Sequence, residues 1–346
     1  MNKAFSFIVC GACWMAVVIL AGCRPSARQS AVEGRFVIDR LNPYTPVKDQ
    51  GRNQTCWIYA MLATIETEHL GRGDSVNLSP YDAERQLLAE GARQLYLDQG
   101  HVPVTCRGMA GRLVRLIGAY GIMPYDAYRY GEGVNATVVA RKVGLSVEAA
   151  VHSRLGLEAC MDRVEALLDD SFGPRPPHVF MLGAQYTPQE FARSVCAPGE
   201  YEALTSFTHH PYFGRFVLEV PDNIDRESFL NLPLDSLMRR LTDAVRRGHG
   251  VCWEGDISEP GFSFAQGVAV LPQGAAVTPE ARQRAFERYQ TTDDHCMAIV
   301  GLAHDRRGRR YFIMKNSWGT RNPYGGLMYV SEDYVRLKTV AVYLPR

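Results

Sequence analysis

The sequence has little net charge, few cysteines and no internal repeat. Its 38 Lys and Arg residues against 37 Asp and Glu residues leave a formal charge of +1, without the basic excess typical of nucleic-acid-binding proteins. Nine cysteines in 346 residues are too few for a scaffold held together by disulfides. Hydrophobic residues make up 46% and charged residues 22%, which excludes a disordered chain, a coiled coil or a collagen-like rod. We therefore expect a globular protein with no nucleic-acid partner.

The first 22 residues have the composition of a secretory signal. A lysine near the start precedes an apolar run that closes on Leu20-Ala21-Gly22, and Cys23 follows. This segment resembles the signal of a bacterial lipoprotein, which implies that residues 1–22 are removed and that Cys23 carries lipid. A plain signal peptide followed by a chance cysteine is the alternative. The apolar run is too short for a typical transmembrane anchor.

The residues after Cys23 predict a tether and a location. Residues 23–45 offer little to bury, so we expect a lipidated spacer between the membrane and a domain at 46–346. Arg24, rather than an aspartate, follows the cysteine and gives no signal for retention at the inner membrane. The lipoprotein resemblance thus implies a lipid-anchored protein of the cell envelope, with the outer membrane as the expected site.

A cysteine stands at the start of a predicted helix. Gln50 lies six residues before Cys56, and apolar residues recur after Cys56 at helical spacing. The positive end of a helix dipole lowers a thiol pKa, and the unpaired N–H groups of the first turn can bind an oxyanion. The Gln50 amide can supply a second donor. This pattern indicates a nucleophilic cysteine, with a buried structural cysteine as the alternative.

A histidine and an asparagine are spaced to act with such a thiol. His295 begins an apolar strand, and a second strand runs into Asn316, 21 residues later. Across one hairpin, Asn316 can accept an imidazole N–H and leave the other ring nitrogen to pair with a thiol. Trp318 is placed to shield that hydrogen bond from water. A histidine at a strand start is usually structural, so the prediction depends on its combination with Cys56.

Three motifs in this order resemble the signature of papain-like cysteine peptidases. They are QGRNQTCWIYA at 50–60, DHCM at 294–297 and KNSWG at 315–319. The resemblance implies an α+β fold in which a helical left lobe and an antiparallel β-barrel right lobe face each other across a cleft. It also implies a peptide or protein substrate, and neither a cofactor nor a metal.

The same resemblance implies a role for each candidate residue. Cys56 is expected to be the nucleophile, His295 the general base and acid, and Asn316 the residue that orients the imidazole. Gln50 and the Cys56 N–H are expected to form the oxyanion hole. The implied reaction is peptide hydrolysis through a thioester. A non-catalytic peptide-binding scaffold, and an amidase or transpeptidase acting on a cell-envelope amide, remain alternatives.

The chain is longer than papain between its motifs. His295 follows Cys56 by 239 residues, about 100 more than in papain. Segments such as LVRLIGAYGIMPY at 113–125 resemble the bleomycin hydrolase and aminopeptidase C group. This resemblance implies that residues 131–230 are an insert relative to papain, which we expect to decorate the helical lobe.

Further expectations concern the cleft and its ends. The resemblance implies that Gly108 and Trp318 contact substrate, with Arg107 adding charge at the rim. Only 30 residues follow Asn316, and they predict two strands rather than the tail that fills the cleft in the resembling aminopeptidases. We therefore expect an open cleft that cleaves N-terminally blocked peptides, while endopeptidase and aminopeptidase activity both remain open.

Several other polar residues and thiols have no assigned part in this site. Glu254 and Asp256 are candidates for lining the cleft and selecting a basic group or an N-terminal amine, with a solvated loop as the alternative. His209-His210 has no third ligand at suitable spacing, so zinc is not expected. Cys296 should point into the core, because neighbours on a strand face opposite sides. Most of the remaining thiols are also expected to be buried.

Overall fold

The computed structural model describes residues 35–129, 131–181 and 183–346. The predicted signal at 1–22 and the predicted lipidation site Cys23 lie outside these residues. Within the described part of the chain, no helix combines the length and the apolar character needed to cross a membrane.

Most of the helices lie in the first two thirds of the chain. The described residues contain helices α1 Cys56–Gly71, α2 Pro80–Leu97, α3 Ala110–Tyr120, α4 Ala136–His152, α5 Leu157–Phe172, α6 Pro188–Val195, α7 Leu234–Arg246, α8 Pro279–Glu287 and α9 Glu332–Lys338. Local sequence explains several starts: Ser79 caps α2 by accepting the Asp82 N–H, and Thr187 with Glu190 forms a capping box at α6. Prolines at the first helical position assist α2 and α6.

The strands are concentrated in the second half. They are β1 Phe36–Leu41, β2 Val179–Met181, β3 Ala184–Tyr186, β4 Tyr201–Thr205, β5 Arg215–Val217, β6 Ser228–Asn231, β7 Val251–Gly255, β8 Phe262–Ser263, β9 Val268–Ala269, β10 His295–Asp305, β11 Arg310–Lys315, β12 Leu327–Ser331 and β13 Thr339–Pro345. The expected strands from His295 onward are confirmed, including the two after Asn316.

One large sheet carries the second half of the chain. Its strand order is β5-β6-β4-β13-β7-β10-β11-β12-β9-β8, and β2 and β3 form a separate hairpin. Most neighbours are antiparallel, while β4–β6 and β12–β9 are parallel. Helices and an antiparallel-dominated sheet thus form an α+β architecture, as the sequence predicts.

Helix α1 lies between the helical part and the sheet. It packs against β10 and β7 on one side and against α2 and α3 on the other. Its residues Trp57 to His69 are buried all round, rather than along one face as the amphipathic pattern predicts. Helix α7 covers the opposite face of the sheet, where Trp253 and Met297 pack against it. The first residue of α1, Cys56, therefore lies at the junction of the two parts.

The predicted tether is too long at its C-terminal end. Strand β1, residues 36–41, pairs antiparallel with the second half of β10. Phe36 is buried and stacks on Tyr329 with ring centroids 4.2 Å apart. The burial of the Phe36 ring and the backbone pairing of β1 with β10 are not evident from composition. The folded domain therefore begins before residue 46.

Residues 131–230 contribute to both parts of the fold. Helices α4 and α5 pack on α2 and extend the helical part, as expected. Strands β4 and β5, with most of β6, instead add to the sheet beside β13. The expectation that this segment only decorates the helical lobe is therefore wrong, because its second half supplies strands that the edge of the sheet can pair.

Candidate active site

A cavity of about 840 Å³ opens where α1 begins and β10 begins. Five of the sequence-predicted site residues line it: Gln50, Cys56, Gly108, His295 and Trp318. The sixth, Asn316, is buried and bonds to His295 from behind. Residues far apart in sequence are thus brought to one place by the packing of α1 across β10.

Cys56 occupies the first position of α1. The preceding Thr55 makes no capping hydrogen bond with its side chain, whose hydroxyl donates to the buried carboxyl of Glu84 at 2.6 Å. In the first turn, the Ile58 N–H donates to the Thr55 carbonyl at 2.9 Å, whereas no described residue accepts the Cys56 N–H, which can therefore bind a ligand at the cleft. Burial raises the pKa of Glu84 to about 8, so this carboxyl adds little negative charge near neutral pH.

The surroundings of the Cys56 thiol favour its ionised form. A hydrogen bond from the Cys296 thiol lowers its pKa well below the usual range; burial opposes this, and the hydrogen bond and positive charge of His295 add to the lowering. Since the thiolate is the nucleophilic form, the site favours a reactive sulfur.

The predicted orientation of Cys296 is wrong. Cys296 lines the cavity and contacts Cys56 instead of pointing only into the core. The side chains of His295 and Cys296 do point to opposite faces of β10, as alternation along a strand requires. However, α1 packs across β10 so that Cys56 lies next to the first residues of the strand. The sulfur of Cys56 is therefore within reach of both neighbours. Burial and the bond to Cys56 raise the pKa of Cys296, which keeps it a thiol donor.

His295 is held by two neighbours. Its Nε2 donates to Asn316 Oδ1 at 2.8 Å, which leaves the other ring nitrogen for Cys56. Trp318 lies over the imidazole with ring centroids 4.6 Å apart. Asn316 and Trp318 thus lie where the sequence places them, while their orienting and shielding roles stay predictions. Asn316 Oδ1 also accepts the Ser317 N–H at 2.8 Å, which fixes the amide.

Gln50 is connected to the asparagine segment by backbone and side chain. Its N–H donates to the Ser317 carbonyl at 2.8 Å, and its Oε1 accepts the Ser317 hydroxyl at 2.5 Å. Its Nε2 donates to the Asn53 carbonyl at 2.6 Å. An amide nitrogen carries two N–H groups, so one remains for a ligand in the cavity.

Gly108 lies where the cleft leaves no room for a side chain. A Cβ there would meet the Trp57 ring at 3.0 Å and the Arg112 side chain at 3.1 Å. The neighbouring Arg107 is half exposed and forms an ion pair with Asp222. The predicted charge at the rim is therefore neutralised by a residue of the 131–230 segment.

Sequence reasoning missed a buried ionic network beneath the site. Glu66 of α1 is fully buried, and its Oε1 accepts Lys48 Nζ at 2.7 Å and the Leu78 N–H at 2.8 Å. Its Oε2 lies 3.6 Å from Lys315 Nζ and also accepts the Thr45 hydroxyl. The only sequence signal was a lysine at the end of an apolar strand. The network ties α1 to the residue that precedes Asn316.

The two acidic residues of the β7 region separate in the structure. Glu254, on β7, lines the cavity rather than lying in a solvated loop. Asp256, two residues later, is also buried. Its carboxylate accepts the Thr292 N–H at 2.9 Å and faces the Lys338 ammonium. Asp256 therefore anchors a loop and does not line the cavity.

A histidine pair acquires a partner that sequence spacing did not predict. His209 and His210 lie 3.2 and 2.6 Å from the carboxylate oxygens of Glu219. Together they are the trio of described residues whose ligand atoms could converge on a metal ion. All three are at least partly exposed, and His209 also bonds to Gln283. Hydrogen bonding alone accounts for their placement.

The six cysteines among the described residues are all free thiols. Cys56 is partly accessible, whereas the other five are buried, as expected. Those five are Cys106, Cys160, Cys196, Cys252 and Cys296.

Comparisons with known proteins agree with this architecture. No protein-family model matches the chain. Cysteine endopeptidase Rep1 of Oryza sativa subsp. japonica is 34% identical over 103 residues, which span 26% of this chain and 28% of that protein. The chain therefore matches less than a third of that relative's length.

Solved structures of papain-like cysteine peptidases match much more of the chain. PepW from Lactobacillus rhamnosis HN001 superimposes with a TM-score of 0.67 and 15% identity, over 92% of this chain and 83% of that one. The bromelain protease from Ananas comosus, in complex with the E64 inhibitor, gives a TM-score of 0.43 and 16% identity over 87% and 94%. The agreement with PepW, which extends over most of both chains, shows that this chain has the papain-like α+β fold.

Proposed function

We propose that the chain is a cysteine peptidase that hydrolyses peptide bonds through a thioester on Cys56. The observation that carries the proposal is the placement of Cys56 and His295 on one cavity, with Asn316 hydrogen-bonded to His295 from behind and the pKa of the Cys56 thiol lowered. A fold shared with peptidases is consistent with this chemistry but does not by itself assign it.

The first half of the reaction follows from the geometry. The Cys56 thiolate attacks the scissile carbonyl, and negative charge develops on its oxygen. The Cys56 N–H at the start of α1 and the remaining N–H of Gln50 are the donors for that oxygen. His295 then donates a proton to the leaving amine, which departs and leaves the acyl group on sulfur.

The second half uses the same groups in reverse order. His295, now neutral, takes a proton from water, which attacks the thioester carbonyl. The Cys56 sulfur leaves, the acid product dissociates, and the thiolate–imidazolium pair is restored. Asn316 holds the imidazole in one tautomer throughout, because its Oδ1 accepts the Nε2 proton.

We further propose that N-terminally blocked peptides are cleaved. The cavity of about 840 Å³ is in the size range that holds a ligand of several residues. A ligand of that length can be bound without a free amine at the residue before the scissile bond. Matched acetylated and free peptides, with products identified by mass spectrometry, test this: release of single residues from free peptides only would contradict it.

The central test is labelling together with turnover. An epoxide inhibitor of papain-like enzymes should modify Cys56, and a panel of fluorogenic peptides should be hydrolysed. Cys56→Ala should lose both while its circular dichroism spectrum and thermal unfolding are retained. Cys160→Ala is the matched control, because Cys160 is a buried thiol of α5 that does not line the cavity. Hydrolysis that persists in Cys56→Ala would refute the proposal.

A further inference from the structure

The cavity around Cys56 is rich in carboxylates. Among the described residues that line it, carboxylates outnumber arginines by six to two. The acidic ones are Glu219, Asp222, Glu254, Glu287, Asp293 and Asp294. Since the chain as a whole is nearly neutral, this concentration of one sign is a property of the cavity.

Three of these carboxylates form a group beside the nucleophile, here called the acidic pocket: Asp222, Glu254 and Asp293. Glu254 is opposite Cys296 in the β7–β10 pairing, and Cys296 contacts Cys56. Asp293 lies two residues before His295, and its Oδ2 accepts the Asp222 N–H at 3.3 Å. The pocket thus adjoins the reacting sulfur and is built from the loop before the His295 strand, the neighbouring strand β7 and the 131–230 segment.

Glu254 is the one buried member of the acidic pocket, whereas Asp222 and Asp293 are partly exposed. Its side chain belongs to a residue that is only 2% exposed, yet it lines the cavity. Its Oε1 accepts the Ala110 N–H at 2.7 Å, at the start of α3, and no described residue donates a hydrogen bond to its Oε2. One half of this buried carboxyl is therefore anchored and the other half has no hydrogen-bond donor.

Arg107 is the cation that acts on the two aspartates of the acidic pocket, and no cation among the described residues acts on Glu254. Burial raises the pKa of Asp222 to about 7, and it also raises the pKa values of Asp293 and Glu254. Asp293 raises the pKa values of its two companions further, and Arg107, paired with Asp222, opposes the increase in both aspartates. The charges acting on Glu254 come from Glu227, Asp293 and Cys56, and all three raise its pKa. A positive charge placed in the pocket would relieve this repulsion.

We propose that the acidic pocket binds a cationic nitrogen of the substrate beside the bond that Cys56 attacks. The inference rests on the proposed peptidase function and specifies its substrate class: peptides that present a protonated nitrogen close to the scissile bond. Two sources share this chemistry, a lysine or arginine side chain and a free N-terminal amine. Glu254 is the main specificity-determining residue, with Asp293 as its companion.

The test compares peptides that differ only in charge. Fluorogenic substrates carry arginine or its neutral isostere citrulline at each of the two positions before the scissile bond, with an acetylated N-terminus. A third set carries citrulline and a free N-terminus. A preference for the arginine peptides of about 10- to 100-fold in kcat/KM is expected if a side chain is recognised. The same preference for the free over the acetylated citrulline peptide identifies the N-terminal amine instead.

Variants assign the preference to the pocket. Glu254→Gln keeps an acceptor for the Ala110 N–H and removes the charge, so it should bring the preference to within about threefold of unity. Asp293→Asn keeps an acceptor for the Asp222 N–H and should also reduce the preference for the cationic peptide. It is the second test of the pocket if Glu254→Gln does not fold. Glu148 is exposed on α4 and does not line the cavity. Glu148→Gln makes the same charge change there and should leave the preference as in wild type.

The outcomes separate this inference from the proposed function. Hydrolysis of all peptides at equal rates overturns the cation pocket and leaves the peptidase intact. A cationic preference that survives unchanged in both variants also overturns the pocket. Hydrolysis of none of the peptides by wild type overturns the proposed function, and this inference with it.

Discussion

Cys296 and Cys56 line the same cavity, and hydrogen bonding by the thiol and backbone N–H of Cys296 lowers the pKa of the Cys56 thiol. Two cysteines thus share one end of the cleft, and the second stabilises the thiolate form of the first. The backbone donor would remain in any variant at this position, so the contribution of the side chain can be measured separately.

Cys296→Ala should raise the pKa of Cys56. Loss of one hydrogen bond to a charged group costs about 1.5–3 kcal/mol, which corresponds to a rise of about one to two pH units in the ionisation of the thiol. The pH dependence of alkylation by a neutral haloacetamide, followed at Cys56 by mass spectrometry, measures this. Cys296→Ser, which retains a donor, should restore most of the effect. An unchanged profile in Cys296→Ala would show that the thiol plays no part in ionisation.

Gln50→Ala should lower kcat by about 100- to 1000-fold, the range observed for losing one oxyanion donor. KM should change little, because the oxyanion exists only during the reaction. Ser317→Ala tests the orientation of the amide: it removes the donor to Gln50 Oε1 and should give a smaller loss in kcat. A higher KM with an unchanged kcat in Gln50→Ala would contradict a role in stabilising the oxyanion.

The strands around His295 and Asn316 were predictable because their apolar runs and the charged turn between them are local signals. The contents of the site depended on long-range packing. Nothing near Cys296 in sequence indicates that α1 crosses β10 at its first residues, so alternation along the strand led to the wrong orientation. Phe36 was likewise assigned to a tether, because its stacking partner Tyr329 is almost 300 residues away.

The buried polar residues were even less predictable. The sequence predicts that Glu66 lies on an amphipathic helix. It is buried because other elements cover α1 on all sides. Its partners come from two distant segments, around Lys48 and Lys315. Sequence spacing reveals residues that act across one hairpin, such as His295 and Asn316, but not a network assembled from three elements.

Asn316→Ala should reduce kcat/KM less than His295→Ala. His295 moves the proton in both halves of the proposed reaction, whereas Asn316 orients the imidazole through one hydrogen bond. Asn316→Ala leaves Trp318 over the ring, so part of the positioning persists. Steady-state kinetics on one fluorogenic peptide compare the two variants. Equal and negligible losses in His295→Ala, Asn316→Ala and Gln50→Ala would instead indicate a non-catalytic scaffold.

Cys23→Ser should release the protein from the membrane fraction. The prediction follows from the lipoprotein-like signal at 1–22, because the signal it resembles is followed by a cysteine whose thiol carries the lipid. Fractionation of cells that express wild type and variant, followed by immunoblotting, measures the distribution. Cys10→Ser, within the same signal, is a control that should leave the protein in the membrane fraction. Retention of Cys23→Ser on membranes would contradict lipid anchoring at this residue.

Glu66→Gln should destabilise the fold in a pH-dependent way. Burial raises the pKa of Glu66, but Lys48, Lys315 and the Leu78 N–H lower it by more, so the folded state holds the carboxylate in preference to the acid. A group whose folded pKa lies below its unfolded value, about 4.3, stabilises the fold above that pH and loses this contribution as the pH falls through the folded pKa.

Removing one partner of a buried ion pair typically costs about 3–5 kcal/mol, so the loss in free energy of unfolding should be of that size near neutral pH. Urea unfolding of wild type and Glu66→Gln at a series of pH values measures it. The two curves should converge as the pH falls from about 4.3 through the folded pKa of Glu66, because the carboxyl then takes up a proton in folded wild type as well. Glu148→Gln, exposed on α4, should follow wild type throughout. A difference between Glu66→Gln and wild type that is the same at every pH would mean that the side chain contributes packing rather than charge.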